Sequence, residues 1–332
     1  MPPVSAATAA KTPQQALRLR RVLQSGEAAV AMRLLGDRWV LLILRDAFLG
    51  VRRFEQLQRQ SGAARSTLTA RLAALVDAGI MYRHEYATRP RRLEYRLTEK
   101  GLACYPIALV LWSWEQRWGD PASLPPSLIH VPCGRAVHPV FICDRCRAPV
   151  QYQDVRYQLG ALRRRGSPPL ETRRRETRAG RGADATLFHA LEIIGDRWSA
   201  LTLASLYLGN RRYDDLLASL GIASNILADR LRRLVTTGIV EQLQYHAHPP
   251  RYEYQLTAKG RGLQPFALIL QEWARTWLPA RDGPALDLRH AACGHPLRTR
   301  AACNHCSEVL LPQAVTLRRT AAPRRLRSRG KR

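Results

Sequence analysis

The 332-residue chain lacks any long apolar run. Its longest aliphatic stretches, residues 40–44 and 107–111, fall far short of the roughly 20 residues that cross a bilayer. The opening segment, MPPVSAATAAKTPQQALRLRR, has no continuous apolar core of a secretory signal. These absences point to an intracellular, cytoplasmic protein with no membrane partner. Lysine is scarce as well: of 53 basic residues only Lys11, Lys100, Lys259 and Lys331 are lysines, a bias that accords with GC-rich coding. No Ser/His/Asp set, paired carboxylates or phosphate-binding loop stands out, so an enzyme is not expected. None of the seven cysteines lies before residue 104.

Acid is scarce relative to base, with 26 Asp and Glu against 53 Lys and Arg, a formal net charge of +27. Such an excess favours a polyanionic partner, of which nucleic acid is the commonest inside a cell. Its distribution tempers the inference. The segment 156–181 and the tail 318–332 together contribute +15 of the +27, and both have the Arg/Pro/Gly-rich composition of solvated linkers. Charge alone is equally compatible with an Arg-rich architectural or RNA-binding protein.

An internal repeat sets the architecture. Gly36-Asp37-Arg38-Trp39 returns as Gly195-Asp196-Arg197-Trp198, an offset of 159. Arg52-Arg53-Phe54 returns as Arg211-Arg212-Tyr213, and the run 93–101, LEYRLTEKG, as 252–260, YEYQLTAKG. Cys133, Cys143 and Cys146 match Cys293, Cys303 and Cys306 at an offset of 160.

Each copy has one plan. In the first, residues 28–35, 37–49 and 53–60 read as helices. The turn 61–64 leads to a fourth helix with Leu68, Leu72, Leu75 and Val76 on one apolar stripe, closed by Gly79. Two β-rich runs, 80–86 and 93–97, flank the basic turn 87–91, and a single final helix starts near Thr98. Helix, short helix, turn, helix and basic hairpin is the order of a winged helix-turn-helix. The second copy repeats it through Gly221, the stripe Leu227, Leu231, Leu234, Val235 and the hairpin 240–256.

At these positions the sequence resembles the HxlR-type family of bacterial winged-helix regulators. The carriers are Gly-Asp-Arg-Trp on the second helix, Arg-Phe or Arg-Tyr opening the third, and Leu-x-x-x-Leu-x-x-Leu on the fourth. Gly-Ile before the wing and Glu-Tyr-x-Leu-Thr-x-x-Gly after it complete the set, across residues 27–119 and 186–278. The resemblance implies DNA-binding repressors or activators that dimerise through terminal helices. Some members sense oxidants, aldehydes or quinones through an N-terminal cysteine. This chain departs there, since neither copy has a cysteine before its own wing.

The expected partner is therefore double-stranded DNA. The early exposed face of a recognition helix meets base edges, which nominates Arg65, Ser66, Thr67 and Arg71 in the first copy and Ser224, Asn225 and Arg230 in the second. Arg pairs with guanine and Asn with adenine, so the two helices should read non-identical half-sites. Arg71 and Arg230 have a second reading, as ion-paired or phosphate-contacting residues. The wing tips offer Arg89, Arg91 and Arg92 against His246, His248 and Arg251. Arg52, Arg53, Arg211 and Arg212 precede a helix N-terminus where phosphate can also meet backbone N–H groups. A flexible linker of 24 residues spans about 25–30 Å, comparable with a half-site separation of about 34 Å. One chain can thus form an intramolecular pseudo-dimer through its Trp114/Trp118 and Trp273/Trp277 helices, or a homodimer. Those tryptophans can equally fill each copy's own core. The small-molecule effector is unknown.

After each wing module comes His-x-x-Cys-Gly and then Cys-x-x-Cys. Two short ligand pairs joined by a loop suit a tetrahedral zinc ribbon. The expected ligands are His130, Cys133, Cys143 and Cys146 in one set and His290, Cys293, Cys303 and Cys306 in the other. That makes two structural zinc ions per chain. A redox-switched zinc–thiolate centre stays open, and His138, His295 or His305 are alternative fourth ligands. Cys104, matched by Leu263, reads as a buried small apolar residue.

The expected fold is α+β. A basic arm spans 1–26, a winged helix 27–122, a zinc-ribbon-like module 127–155 and a linker 156–183. A second winged helix spans 184–281, a second zinc-ribbon-like module 287–316 and a disordered tail 317–332. A bacterial, nucleoid-associated location follows from that reading.

Overall fold

The computed structural model describes residues 12–89, 91–120, 126–160, 188–278 and 284–318. Most of the Arg-rich linker and the basic tail lie outside them. The described residues open with helix α1 (Pro13–Ser25), nucleated by a capping box in which Thr12 and Gln15 exchange side-chain-to-backbone hydrogen bonds, with Pro13 in the first turn. Leu19, Val22 and Leu23 make its buried stripe. Half of the expected basic arm is thus a structural helix, since those three apolar residues recur at helical spacing among the arginines.

The first winged helix contains α2 (Glu27–Leu35), α3 (Arg38–Phe48), α4 (Phe54–Ser61), α5 (Arg65–Asp77), the hairpin β1 (Met81–Thr88) and β2 (Arg91–Leu97), α6 (Glu99–Leu102) and α7 (Tyr105–Trp118). Asp37 caps α3, its carboxylate accepting from the backbone N–H of Trp39 at 3.0 Å and of Val40 at 3.3 Å. Gly62 ends α4 in the left-handed region (φ 68°), making the turn between the two helices of the helix-turn-helix. The single final helix expected from Thr98 is two helices. Pro106 sits in the first turn of α7 and cannot donate the backbone hydrogen bond that continuity would require.

The Leu-Thr-x-x-Gly motif anchors the wing. Thr98 Oγ1 donates to the Gly79 carbonyl at 2.6 Å and accepts from Gly101 N–H at 3.2 Å. A Cβ on Gly101 would collide with the Ile80 carbonyl, so only glycine permits this approach. Thr257, Gly238 and Gly260 repeat the arrangement.

Next come β3 (Leu128–His130), β4 (Arg135–Val137), β5 (Val140–Cys143) and β6 (Val155–Leu159). The second winged helix has α8 (Phe188–Ile194), α9 (Arg197–Tyr207), α10 (Tyr213–Leu220), α11 (Ser224–Thr236), β7 (Val240–His246), β8 (Arg251–Leu256), α12 (Ala258–Arg261) and α13 (Gln264–Trp277). It is followed by β9 (Leu286–His290), β10 (Thr299–Ala302) and β11 (Val315–Leu317).

The two copies do not stand apart. Strand β11 pairs with β3, β6 with β9 and β5 with β10, all antiparallel and each joining one copy to the other. The pairs Val315↔His130 and Val155↔His290 are equivalent under the repeat, and Phe141↔Ala301 sits on its own equivalent. That is the pattern of an internal two-fold axis through the β5–β10 ladder. Residues 156–159, expected as linker, belong to β6.

The helices obey the same symmetry. Trp114 Nε1 donates to the Lys259 carbonyl at 3.0 Å, and Trp273 Nε1 to the Lys100 carbonyl at 3.1 Å. Each lysine ammonium in turn lies over the opposite indole, at 5.4 and 5.6 Å. Helix α13 packs on α2, and α1 reaches across to α10. There Gln24 Nε2 donates to the Leu220 carbonyl at 2.8 Å and Arg20 to the Gly221 carbonyl at 3.3 Å. Buried side chains from both copies form one continuous core.

Candidate nucleic-acid interface and metal centres

Helix α5 presents Arg65 and Ser66 to solvent with Thr67 half-buried, and α11 presents Ser224 and Asn225. These residues open their helices while Leu68, Leu72 and Leu75, or Leu227, Leu231 and Leu234, hold the opposite faces in the core. Arg65 lies over the Phe54 ring at 5.0 Å. In the second copy the matching Tyr213 hydroxyl meets Ser224 Oγ at 2.7 Å.

Arg71 and Arg230 are engaged within the protein. Arg71 Nε is 3.0 Å from Asp37 Oδ1, and Arg230 Nε is 2.8 Å from Asp196 Oδ2. Each therefore ties a recognition helix to the residue that caps the preceding core helix. Of the two roles open for this arginine pair, the ion-paired one is what the geometry supports, because a buried cap carboxylate attracts the nearest cation.

The wings are exposed at Arg89, Arg91, Arg92, His246, His248 and Arg251. Arg91 pairs with Glu85 at 2.9 Å. Both wings carry a register shift at the same place, between Glu85 and Ala87 and between Gln244 and His246. The residue at each bulge is a tyrosine that receives the arginine opening α4 or α10: Arg53 lies over Tyr86 and Arg212 over Tyr245, both at 4.9 Å. Arg212 also meets Glu253 at 3.3 Å, and Arg52 approaches Glu94 at 4.0 Å. The Arg211 carbonyl accepts from Tyr254 N–H at 2.8 Å. This arginine pair is thus bound into the wing base, and the tyrosines that hold it were not anticipated.

The cysteine and histidine residues gather into two groups, but not as copy-by-copy sets. His130 and Cys133 meet Cys303 and Cys306, whereas Cys143 and Cys146 meet His290 and Cys293. This corrects the expected sets, and the reason lies in the strands. Antiparallel β5–β10 pairing carries each Cys-x-x-Cys knuckle across the axis to the other copy's His-x-x-Cys hairpin. Of the alternative histidines, none joins either group. His295 Nδ1 faces the Cys293 carbonyl at 2.7 Å and His305 Nε2 the Ala136 carbonyl at 3.0 Å, while His138 donates its backbone N–H to Asn304.

The distances fit a tetrahedral metal. Zn–S near 2.3 Å and Zn–N near 2.05 Å give edges of about 3.8 Å between sulfurs and about 3.5 Å from sulfur to nitrogen. In one group His130 Nδ1 is 3.4 Å from Cys133 Sγ and 3.3 Å from Cys306 Sγ, and Cys133 and Cys303 are 3.8 Å apart. In the other, His290 Nδ1 is 3.5 Å from Cys293 and 3.3 Å from Cys146, with Cys143 and Cys293 4.0 Å apart. These separations are about twice a disulfide bond. The histidines are fully buried, and Glu308 lies 4.0 Å from His130 Nε2, the place of an outer carboxylate. Burial raises the Cys303 thiol, but backbone donors from Cys306 and His305 outweigh it and leave the thiol below its ordinary value. Arg147 and Ser307, which follow the two knuckles, are the non-glycine residues of positive φ among those described.

Cys104 is 1% exposed, and burial pushes its thiol well above the ordinary range, as expected of an inert packing residue.

The model of the HxlR-like helix-turn-helix family matches residues 34–123 and again 193–282, more than half of the chain. The chain belongs to this family. It is an HxlR-type transcriptional regulator built as a tandem repeat. An uncharacterized HTH-type transcriptional regulator of Mycobacterium tuberculosis is 39% identical over 127 residues, 38% of this chain and 80% of that protein. Another from a Synechocystis strain is 40% identical over 91 residues, 27% of this chain and 67% of the relative. Among solved structures, diamide-treated YodB from Bacillus subtilis has 31% identity and a TM-score of 0.25, covering 27% of this chain and 90% of its own. Among the described residues of this HxlR-type regulator, no helix is long and apolar enough to cross a membrane.

Proposed function

We propose that this HxlR-type regulator acts as its own dimer. One chain presents two unlike recognition helices to two non-identical DNA half-sites, and two structural zinc ions shared between the copies hold them in register. The reciprocal Trp114–Lys259 and Trp273–Lys100 contacts carry the reading. They complete inside one chain the two-fold contact that a homodimer makes between chains. Arg65 and Ser66 on one recognition helix, against Ser224 and Asn225 on the other, support unequal half-sites, since Arg and Asn favour different bases. With four protein ligands in each group, no coordination position is left for catalysis. The zinc would therefore act by joining β-strands from the two copies.

Selection of sites from random DNA by the full-length protein tests the proposal. The expected product is a two-part, non-palindromic motif, and absence of any enriched motif defeats it. An RNA-binding or architectural role would instead leave sequence preference weak and make binding depend on residues 318–332.

A further inference from the structure

The two-fold symmetry is broken in one informative place. A cavity of about 120 Å³ lies where the first copy's α2 meets α9 and α13 of the second, beside strands β6 and β9. Its walls include Ala200, Ala204, Gln264 and Gln271. The repeat-equivalent residues in the first copy are Leu41, Arg45, Tyr105 and Trp112, every one larger and every one at most 8% exposed. Arg45 is there buried against Asp46, at 2.7 Å. Substitutions that run the other way include Cys104 to Leu263, Ile107 to Phe266 and Phe48 to Tyr207. They restore less volume than the four truncations remove. The space in the second copy has thus been opened in a position that the first copy keeps plugged.

The chemistry of the walls selects the occupant. The aromatic surfaces are Tyr157, Tyr207 and Phe266. Both tyrosine hydroxyls are already used, Tyr157 on the Leu208 carbonyl and Tyr207 on the Gly260 carbonyl. Gln271 donates to the Leu286 carbonyl, and the Glu27 carboxylate accepts from Ala285 N–H. Gln264 differs from these: it is 5% exposed and its side chain makes no hydrogen bond among the described residues. An engineered apolar cavity of similar size, about 150 Å³, accepts benzene.

We propose that this cavity binds a small uncharged aromatic molecule with a single hydrogen-bonding group, its ring between the aromatic walls and its polar atom on Gln264. Burial next to Glu27 disfavours an anion. The cavity also touches the DNA-reading machinery. Helix α9 carries Ala200 and Ala204, and its N-cap Asp196 holds recognition-helix Arg230. Occupancy would therefore bear on the second half-site, and this coupling, unlike the binding itself, rests on the proposed function.

The test uses the full chain with phenol and benzoate, followed by calorimetry and ligand-observed NMR. Saturable phenol binding at one site per chain is expected, with benzoate at least tenfold weaker. Ala204→Leu or Ala200→Leu, which restore first-copy bulk, should weaken phenol at least tenfold without lowering Tm. Gln264→Leu should weaken phenol while sparing toluene. No saturable phenol binding, or undiminished binding in folded Ala204→Leu and Ala200→Leu variants, overturns the inference. DNA binding is measured separately without phenol, so failure of the regulator reading leaves a distinct signature: phenol binds and no site is selected.

Discussion

Arginine in this chain performs several jobs, and the sequence context of each one does not reveal which. Arg65 and Arg71 lie six residues apart on one helix, yet the first is exposed and the second is held at 3.0 Å by Asp37. The difference is rotational: position 71 turns toward the capped end of α3, and a carboxylate waits there. Arg71→Ala should cost about 1 kcal/mol of stability, discounted for partial exposure, and weaken DNA binding evenly across sequences. Arg65→Ala should leave stability unchanged and cost about 1–3 kcal/mol of discrimination at one base pair. Chemical denaturation alongside binding to base-substituted sites separates the two. Lysine shows the reverse case. In a chain that almost always chooses arginine, Lys100 and Lys259 are equivalent under the repeat. Their compact ammonium groups donate to the Ala78 and Thr237 carbonyls at 2.8 and 3.0 Å while lying over an indole. That coincidence was a legible signal of the interface.

At the scale of elements, the helices and the wing hairpins were readable because apolar period, caps and glycine turns are local. The apolar stripe on α5 and its Gly79 stop needed no tertiary information. The misread elements are those whose partners lie far away in sequence. Helix α1 reads as a basic arm from sequence because three apolar residues among arginines form a stripe only when other surfaces cover them, and the most extensive of these, α10, is in the second copy. Leu19→Ala, at a residue 1% exposed, should therefore cost roughly 2–5 kcal/mol. The expected readout is a lower denaturation midpoint for the entire chain. The wings differ in charge, with Arg89 and Arg92 exposed on the first and His246 and His248 on the second. Neutralising Arg89 and Arg92 should reduce the steepness of log K against log salt by about 0.9 for each phosphate left without its cation. Replacing His246 and His248 should change it less. Titration of binding at several salt concentrations reads both.

For the whole molecule, the shared Cys/His groups, as the proposed zinc sites, give the sharpest prediction. Cys133→Ser with Cys143→Ser removes one thiolate from each cross-copy group, whereas Cys133→Ser with Cys303→Ser damages one group and leaves the other whole. Zinc content of purified variants should accordingly fall from about two to near zero in the first pair and to about one in the second. Copy-by-copy sets would give the opposite order. Chelation should loosen the strand pairs around the Cys/His groups before the helices unfold, because the leucine-rich core shared by the helices of both copies stays buried. Protection from proteolysis in residues 126–160 and 284–318 would disappear first.

The ligand types and their short spacing were determined by the sequence itself, as was the duplicated winged-helix plan, because both depend on neighbours a few residues apart. The partner of each pair was not. A repeat supplies two chemically equivalent Cys-x-x-Cys knuckles for each His-x-x-Cys hairpin, and spacing cannot choose between them. The choice belongs to tertiary structure: antiparallel pairing of β5 with β10 across an internal two-fold axis places each knuckle on the other copy's hairpin. The cavity beside α9 has the same origin, since Ala204 in place of Arg45 means little until folding sets both residues at equivalent places around one axis.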